Sequence, residues 1–323
     1  MAFSYIVSRV LDNYPHLDPK QVEARLAFGS FASLDNRFVY QQIPKAACTT
    51  MKMLFRELYD SEPLKLFARF LRETRRNMFI HARENIPLPP LTALEEKDQR
   101  DLLEAPDVLR FTIVRNPYTR VVSAWRDKVF LCEPSVEDVY AAVRGAAPAM
   151  GRKHPIGFAE FVSYLESRMN EVWDPHWQRQ VDLTFPKALA FTHVGKTEDL
   201  DVTISILGRH LRHPQPIKVP HANEGVIKPE AQYSEELAQR VYALYEEDFT
   251  LFGYDSGSWL RDQEDCPRTV SDECFTDEVL ERNVVIAHLY SERERLRQEY
   301  HAAYRFSLAR VKNELRRLVR PHG

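Results

Sequence analysis

The apolar residues of the chain follow two spacings, and the places where one gives way to the other mark out its elements. Residues 1–36 predict two short helices, over 4–11 and 19–28. Arg37-Phe-Val-Tyr-Gln-Gln-Ile43 is rich in β-forming side chains and stops at Pro44. The tight stretch Lys45-Ala-Ala-Cys-Thr-Thr50 then leads into Met51–Leu58, whose apolar residues return at helical spacing. Met78-Phe-Ile-His81 predicts a short strand, Pro87, Pro89 and Pro90 a loop, and 94–103 a polar helix ended by Pro106. Val108–Val114 has the continuous apolar pattern of a buried strand, and Asn116-Pro117 is a helix start, with the helix running to about 130. Further along come a helix over 158–170, a strand over 188–194, a helix over 198–210, a proline-containing loop over 213–229 and a helix over 234–252. Residues 254–274 read as loop, and two last helices, 276–290 and 291–319, carry heptad-like spacing interrupted by arginines. Strand–loop–helix occurs twice in succession, which predicts an α/β fold built on a parallel sheet.

Composition narrows the chemistry. The 323 residues include only ten glycines, and no arrangement of them gives G-x-G-x-x-G or G-x-x-x-x-G-K-[ST]. The usual glycine-rich dinucleotide and Walker loops are therefore absent, and a nucleotide site has to be built in another way. Four cysteines (Cys48, Cys132, Cys266 and Cys274) make neither a disulfide framework nor zinc spacing. A formal net charge of −3 argues against a nucleic-acid partner. The charge is uneven: residues from Ser291 on carry nine Lys/Arg against four Asp/Glu. The apolar spacing of Leu296, Tyr300, Tyr304, Leu308, Val311 and Leu315 predicts that this basic helix packs on the body or forms a homodimer. The start of the chain lacks a signal peptide and no window approaches the ~20 apolar residues of a membrane span, so the expected location is cytoplasmic.

Two segments carry the candidate chemistry. A strand that runs through Lys45 into a helix has the form of an anion site: main-chain N–H groups point out of the helix start, Lys45 adds positive charge and Thr49 and Thr50 add hydroxyls. Ala46, Ala47 and Cys48 are small enough for a ligand to approach the backbone. A solvated helix start reads the same way when taken alone. Arg115 stands at the C-terminal end of the next strong strand, where α/β sheets bind ligands, and Ser123 follows eight residues later. An arginine fork with a nearby hydroxyl suits a second phosphate. The alternative is an arginine that pairs with a carboxylate in the core.

Ile43-Pro-Lys-Ala-Ala-Cys-Thr-Thr-Met-Lys52 resembles the 5′-phosphosulfate loop of the carbohydrate sulfotransferases of the chondroitin/dermatan and HNK-1 type, which are distantly related to heparan 2-O-sulfotransferase. Phe111–Lys128 looks like their 3′-phosphate segment. His176-Trp177 through Gln180, His193-Val-Gly-Lys-Thr-Glu-Asp-Leu200 and Tyr233–Tyr254 resemble later family segments in the same order. The resemblance spans about 37–255. It implies a P-loop-like parallel sheet flanked by helices (the sulfotransferase fold), preceded by a helical segment over 1–36 and followed by a linker and helical extension over 256–323. It also implies 3′-phosphoadenosine 5′-phosphosulfate as sulfuryl donor, held by Lys45, Ala46, Ala47, Cys48, Thr49 and Thr50 at the 5′ end and by Arg115 and Ser123 at the 3′ end, with no metal. The family's cysteine pair after the His-Trp segment is missing from 181–186.

The expected reaction is in-line attack by a hydroxyl of a carbohydrate or glycoconjugate, with Lys45 stabilising the leaving oxygen and a histidine as base. His81 and His176 compete for that role, with Glu84 as an acidic alternative; Trp177 offers a flat face for a sugar, and His193 reads as structural. The basic stretch 72–76 is a solvated helix face or an attractor of acidic acceptors. A P-loop-type kinase or NTPase and a non-catalytic scaffold of the same fold are the alternative readings.

Overall fold

The structure is a computed structural model that describes residues 3–59, 86–130, 136–145, 156–218, 233–263 and 295. The strand expected at 78–81, the basic stretch 72–76, Glu84 and the helices expected at 276–290 and 291–319 lie outside these residues, apart from the helical Arg295. Contacts group the chain into two units, 1–124 with 165–267 and 125–164 with 268–323.

The first unit is an α/β layer structure. Its four strands, β1 (Ser30–Ser33), β2 (Phe38–Gln41), β3 (Leu109–Val114) and β4 (His193–Lys196), lie in that order. β2, β3 and β4 are parallel, with Tyr40 opposite Phe111 and Phe111 opposite His193; β1 pairs antiparallel with β2 at the edge. The side-chain period of two sends alternate residues to opposite faces. Phe38, Tyr40, Phe111 and Ile113 pack with Met51, Leu54 and Phe55 of α3 (Cys48–Leu58) and with Ile204 and Leu207 of a later helix, Leu200–His210. On the other face, Ala32 and Val39 pack with Ile6, Val7 and Val10 of α1 (Tyr5–Asn13), Val22 and Leu26 of α2 (Pro19–Gly29), and Ala188 and Leu189. Helices thus cover both sides of a mostly parallel sheet, as the strand–loop–helix repeat predicts.

The helix ends follow local chemistry. Asp18 caps α2 by accepting the N–H of Gln21 at 2.9 Å, with Pro19 in the first turn. Ser234 caps the helix Glu235–Phe252 by accepting from Leu237 at 3.1 Å, and Gly253, at φ 61°, ends it. The other α-helices of this unit are α4 (Glu96–Glu104) and α5 (Pro117–Ala124), followed by Gln180–Thr184, Pro186–Leu189, Leu200–His210 and Glu235–Phe252.

Two expectations need correction. The helical segment expected over 1–36 holds, besides its two helices, the strand β1, and the strand expected over 188–194 begins only at His193. Pro186–Leu189 instead forms a helical turn, stopped by Ala190 at φ 46°. The helix from Pro117 is α-helical to Ala124 and continues as a π-helix over Trp125–Phe130.

Within the second unit, Tyr140 donates to the Val129 carbonyl at 2.6 Å, Trp125 Nε1 to that of Ile156 at 2.8 Å, and Arg144 forms a bidentate pair with Glu160 at 2.6 and 2.7 Å. Among the described residues no helix is long and apolar enough to cross a membrane.

Gly195 sits where β4 meets the helix Leu200–His210. A Cβ there would lie 2.0 Å from Thr203 Oγ1 and 3.0 Å from its Cβ. Gly195→Ala is expected to cost about 1–3 kcal/mol by overpacking, and adding Thr203→Ala to recover part of it. Urea unfolding of both variants checks this; a single variant as stable as the parent would contradict the close approach.

Candidate functional site

The carboxyl ends of the three parallel strands lie along one edge, and each is followed by a cation: Lys45 after β2, Arg115 directly after β3, and Lys196 as the last residue of β4. This is the edge at which open α/β sheets receive ligands.

The first of these turns is unusual. Lys45 and Ala47 both hold left-handed backbone, at φ 68° and 55°, with no glycine to ease it. Such residues each cost on the order of 1–3 kcal/mol and persist only where the surroundings over-determine them. Here the turn is held from several sides. Ala46 donates to the Ile43 carbonyl at 3.2 Å, and Ile43 and Ala46 are buried. Arg120 Nε donates to the Pro44 carbonyl at 3.1 Å, and Arg115 Nη1 to the Lys45 carbonyl at 3.3 Å. The turn delivers the chain into α3 with Ala47 as N-cap and no side chain capping the helix. The N–H groups of Cys48, Thr49 and Thr50 fall in the first turn of α3, where the helix itself offers no acceptor, while the N–H of Met51 returns to the Ala47 carbonyl at 3.0 Å. Thr49 and Thr50 are mostly buried; Lys45, Ala47 and Cys48 are partly exposed, and Cys48 is a free thiol. A helix N-terminus with small side chains and a lysine is an anion cradle by construction.

Arg115 is aimed by its neighbours. Its Nε donates to Thr119 Oγ1 at 3.0 Å, and the Gln180 amide clasps its main chain, accepting from N and donating to O, both at 2.9 Å. Arg115 stands two residues before α5; Thr119 and Ser123, four residues apart on α5, share one of its faces, and Ser123 is half-buried. Lys45 and Arg115 are thus brought together through a main-chain contact, with Ser123 on α5 one turn beyond Thr119.

Gln180 is itself held from beneath. Fully buried Asp248 accepts the N–H of Gln180 at 2.8 Å and of Val181 at 2.9 Å, and the Gln180 amide at 3.4 Å. Burial pushes the Asp248 carboxyl up to about 6, against the two N–H groups and the Arg120 charge, which favour the ionised form.

The histidines divide as follows. His176 Nδ1 and main-chain N both lie against Asp174 Oδ1, at 2.6 and 2.8 Å. A carboxylate there keeps the proton on Nδ1 and leaves Nε2 as the acceptor. His193 is different: Nε2 lies 3.0 Å from Thr203 Oγ1 and burial lowers its pKa, in keeping with a structural role. His81 lies outside the described residues. Trp177, expected as a sugar-stacking face, is 2% exposed, and its carbonyl accepts the Tyr245 hydroxyl at 2.6 Å. A ring of that size contributes most when packed inside.

Lys196, not singled out beforehand, donates to the Gly253 carbonyl at 3.1 Å and lies 4.3 Å from the Tyr254 ring centroid. Glu198 accepts from the Asn116 N–H at 2.9 Å and the Tyr254 hydroxyl at 3.2 Å, tying the ends of β3 and β4 to the close of the last described α-helix. Arg120, Asp174 and Asp248 were also missed. Arg120 had a visible signal, because it falls on the stripe Pro117, Val121, Ala124 that faces the core. Among the described residues no group of three or more His, Cys, Asp or Glu could hold a metal ion.

A family model described as the sulfotransferase family matches residues 30–255. The chain is 26% identical over 254 residues to carbohydrate sulfotransferase 10 of Xenopus laevis, covering 71% of this chain and 68% of that one. It is 24% identical over 249 residues to carbohydrate sulfotransferase 11 of Rattus norvegicus, covering 70% and 67%. No solved structure matches the chain significantly.

The raised carboxyl of Asp248 has a consequence for stability. Between the unfolded value, about 4, and about 6, the folded chain keeps a proton that the unfolded chain has released. Stability therefore falls as pH rises through that window, by about 3 kcal/mol in all. Measured in urea, the stability of the parent relative to Asp248→Asn is expected to drop by that order from about pH 4 to 7; a constant difference would contradict the shift.

Proposed function

The chain belongs to the sulfotransferase family, and from that footing we propose that it transfers a sulfuryl group from 3′-phosphoadenosine 5′-phosphosulfate to a hydroxyl of a carbohydrate or glycoconjugate. The observation that carries the reading is the 3.3 Å contact between Arg115 Nη1 and the Lys45 carbonyl. It joins two anion-suited segments at the ends of adjacent parallel strands, and a donor with phosphate groups at both ends of one nucleoside asks for two such segments side by side. The residues present fit that group: a strained turn opening a helix start on one side, an aimed guanidinium and a hydroxyl on the other.

In this reading Lys45, Ala46, Ala47, Cys48, Thr49 and Thr50 hold the 5′-phosphosulfate, and Arg115 and Ser123 the 3′-phosphate. Bound there, the donor supplies the sulfuryl group. Lys45 sets a positive charge where negative charge grows on the leaving oxygen, and the N–H groups of the α3 start act in the same sense without having to reorganise. His176 is assigned the base. Its Nε2 takes the proton of the acceptor hydroxyl, whose oxygen forms the new bond to sulfur as the bond to the nucleotide breaks, and Asp174 carries the positive imidazolium that results. His81 remains the other histidine to test in this role.

Lys45→Ala is expected to lower sulfate transfer by two or more orders of magnitude with the fold intact, as removal of one preorganised stabilising group does elsewhere. Transfer of radiolabelled sulfate to a carbohydrate extract, with circular dichroism alongside, is the measurement; a fully active variant would take Lys45 out of the chemistry. Arg115→Ala is expected to weaken binding of the desulfated nucleotide at least tenfold by calorimetry, since a charged partner is lost. Unchanged affinity would move the 3′-phosphate elsewhere.

A further inference from the structure

Arg120 is 1% exposed, yet all three of its nitrogens donate to main-chain carbonyls: Nε to Pro44 at 3.1 Å, Nη1 to Gln178 at 2.8 Å and Nη2 to Pro175 at 3.1 Å. These acceptors come from two segments more than 130 residues apart in sequence. One is the strained turn at the end of β2; the other is the turn that carries Asp174 and His176. Pro44 immediately precedes Lys45, and Pro175 immediately precedes His176.

A single planar cation therefore touches the residue before the proposed donor lysine and the residue before the proposed base. The fork of a guanidinium fixes the directions of its donors, so the carbonyls that it binds are fixed relative to one another. An ammonium at the end of a lysine has no such fork. As a device for stability the arrangement is poor. Taking a charge out of water is costly, and an apolar residue on this helix stripe avoids the cost. What the arginine adds is geometry.

We propose that Arg120 is a positioning residue that locks the His176 turn against the Lys45 turn, so that base and donor lysine address the same reacting centre. This rests on the assignment of Lys45 and His176 given above. Arg120 acts through those two residues and touches neither donor nor acceptor.

The test combines kinetics with amide exchange on the full chain. Arg120→Lys keeps the charge and removes the fork; Arg120→Gln, which leaves no stranded charge, serves where the lysine variant does not fold. The expected result is a kcat at least tenfold below the parent, with the donor KM within about twofold of it, since misplacement of reacting groups falls on the chemical step. Exchange at 174–179 is expected to rise while that of 109–114 stays at the parent level. In the His176→Ala background the same substitution should cost markedly less than in the parent, because one of the two residues through which it acts is gone. Additive losses beside a slow His176→Ala, a change confined to the donor KM, or unchanged exchange at 174–179 would each overturn this proposal and leave the base assignment standing. A parental kcat in His176→Ala would overturn both together.

Discussion

The turn between β2 and α3 bends through two left-handed residues, Lys45 and Ala47, neither of which is glycine. That conformation is unfavourable for any side chain with a Cβ, so the turn cannot hold its own shape. Much of the surrounding structure holds it from outside. Ile43 and Ala46 anchor it in the core, Arg115 and Arg120 each grip one of its carbonyls, and the sheet behind it is closed by helices on both faces. A glycine-rich loop reaches such geometry through its own freedom, whereas here it comes from side chains brought in by the segment after β3. The result is a helix start that no side chain caps.

The groups that grip the turn are themselves gripped, and the order runs inward. Arg115 is clasped by the Gln180 amide, and Gln180 sits on Asp248, a carboxyl deep enough in the core to have a raised pKa. Arg120 reaches carbonyls of two separate segments, one beside Lys45 and one beside His176. Charged and amide groups that look misplaced on apolar helices are thus the parts that bring distant turns to one edge of the sheet. Buried polar networks of this kind cost desolvation and return a defined geometry.

What the sequence made legible follows from what acts locally. β2 and β3 are runs of Val, Ile, Tyr and Phe bounded by a proline or an Asn-Pro pair, and the cations after them stand out because strand ends are where ligands bind. Helix starts at Asp18 and Ser234 are written in their caps. β1 was hidden because Ser-Phe-Ala-Ser carries no β-branched residue and exists as a strand only through its antiparallel pairing with β2. The run from Ala188 has the composition of a strand, but Pro186 starts a helical turn that uses up its first half. Arg120 and Asp248 could be placed on apolar stripes by counting, yet their partners are main-chain groups 55 to 76 residues away in one case and 67 to 68 in the other. Nothing in local spacing encodes such pairs. Asp174 two residues before His176 was in plain view, and only the geometry of their turn gives it meaning.

On the proposed reading, two anion-suited segments at neighbouring strand ends form one site for a nucleotide with phosphates at both its 3′ and 5′ positions. The direct measurement is a calorimetric titration of the intact chain with 3′-phosphoadenosine 5′-phosphate and, separately, with adenosine 5′-phosphate and ATP. The 3′,5′-bisphosphate is expected to bind at least tenfold more tightly than either, because only it engages the Arg115 segment as well as the Lys45 turn. Equal affinity for the three, or a preference for ATP, would contradict it.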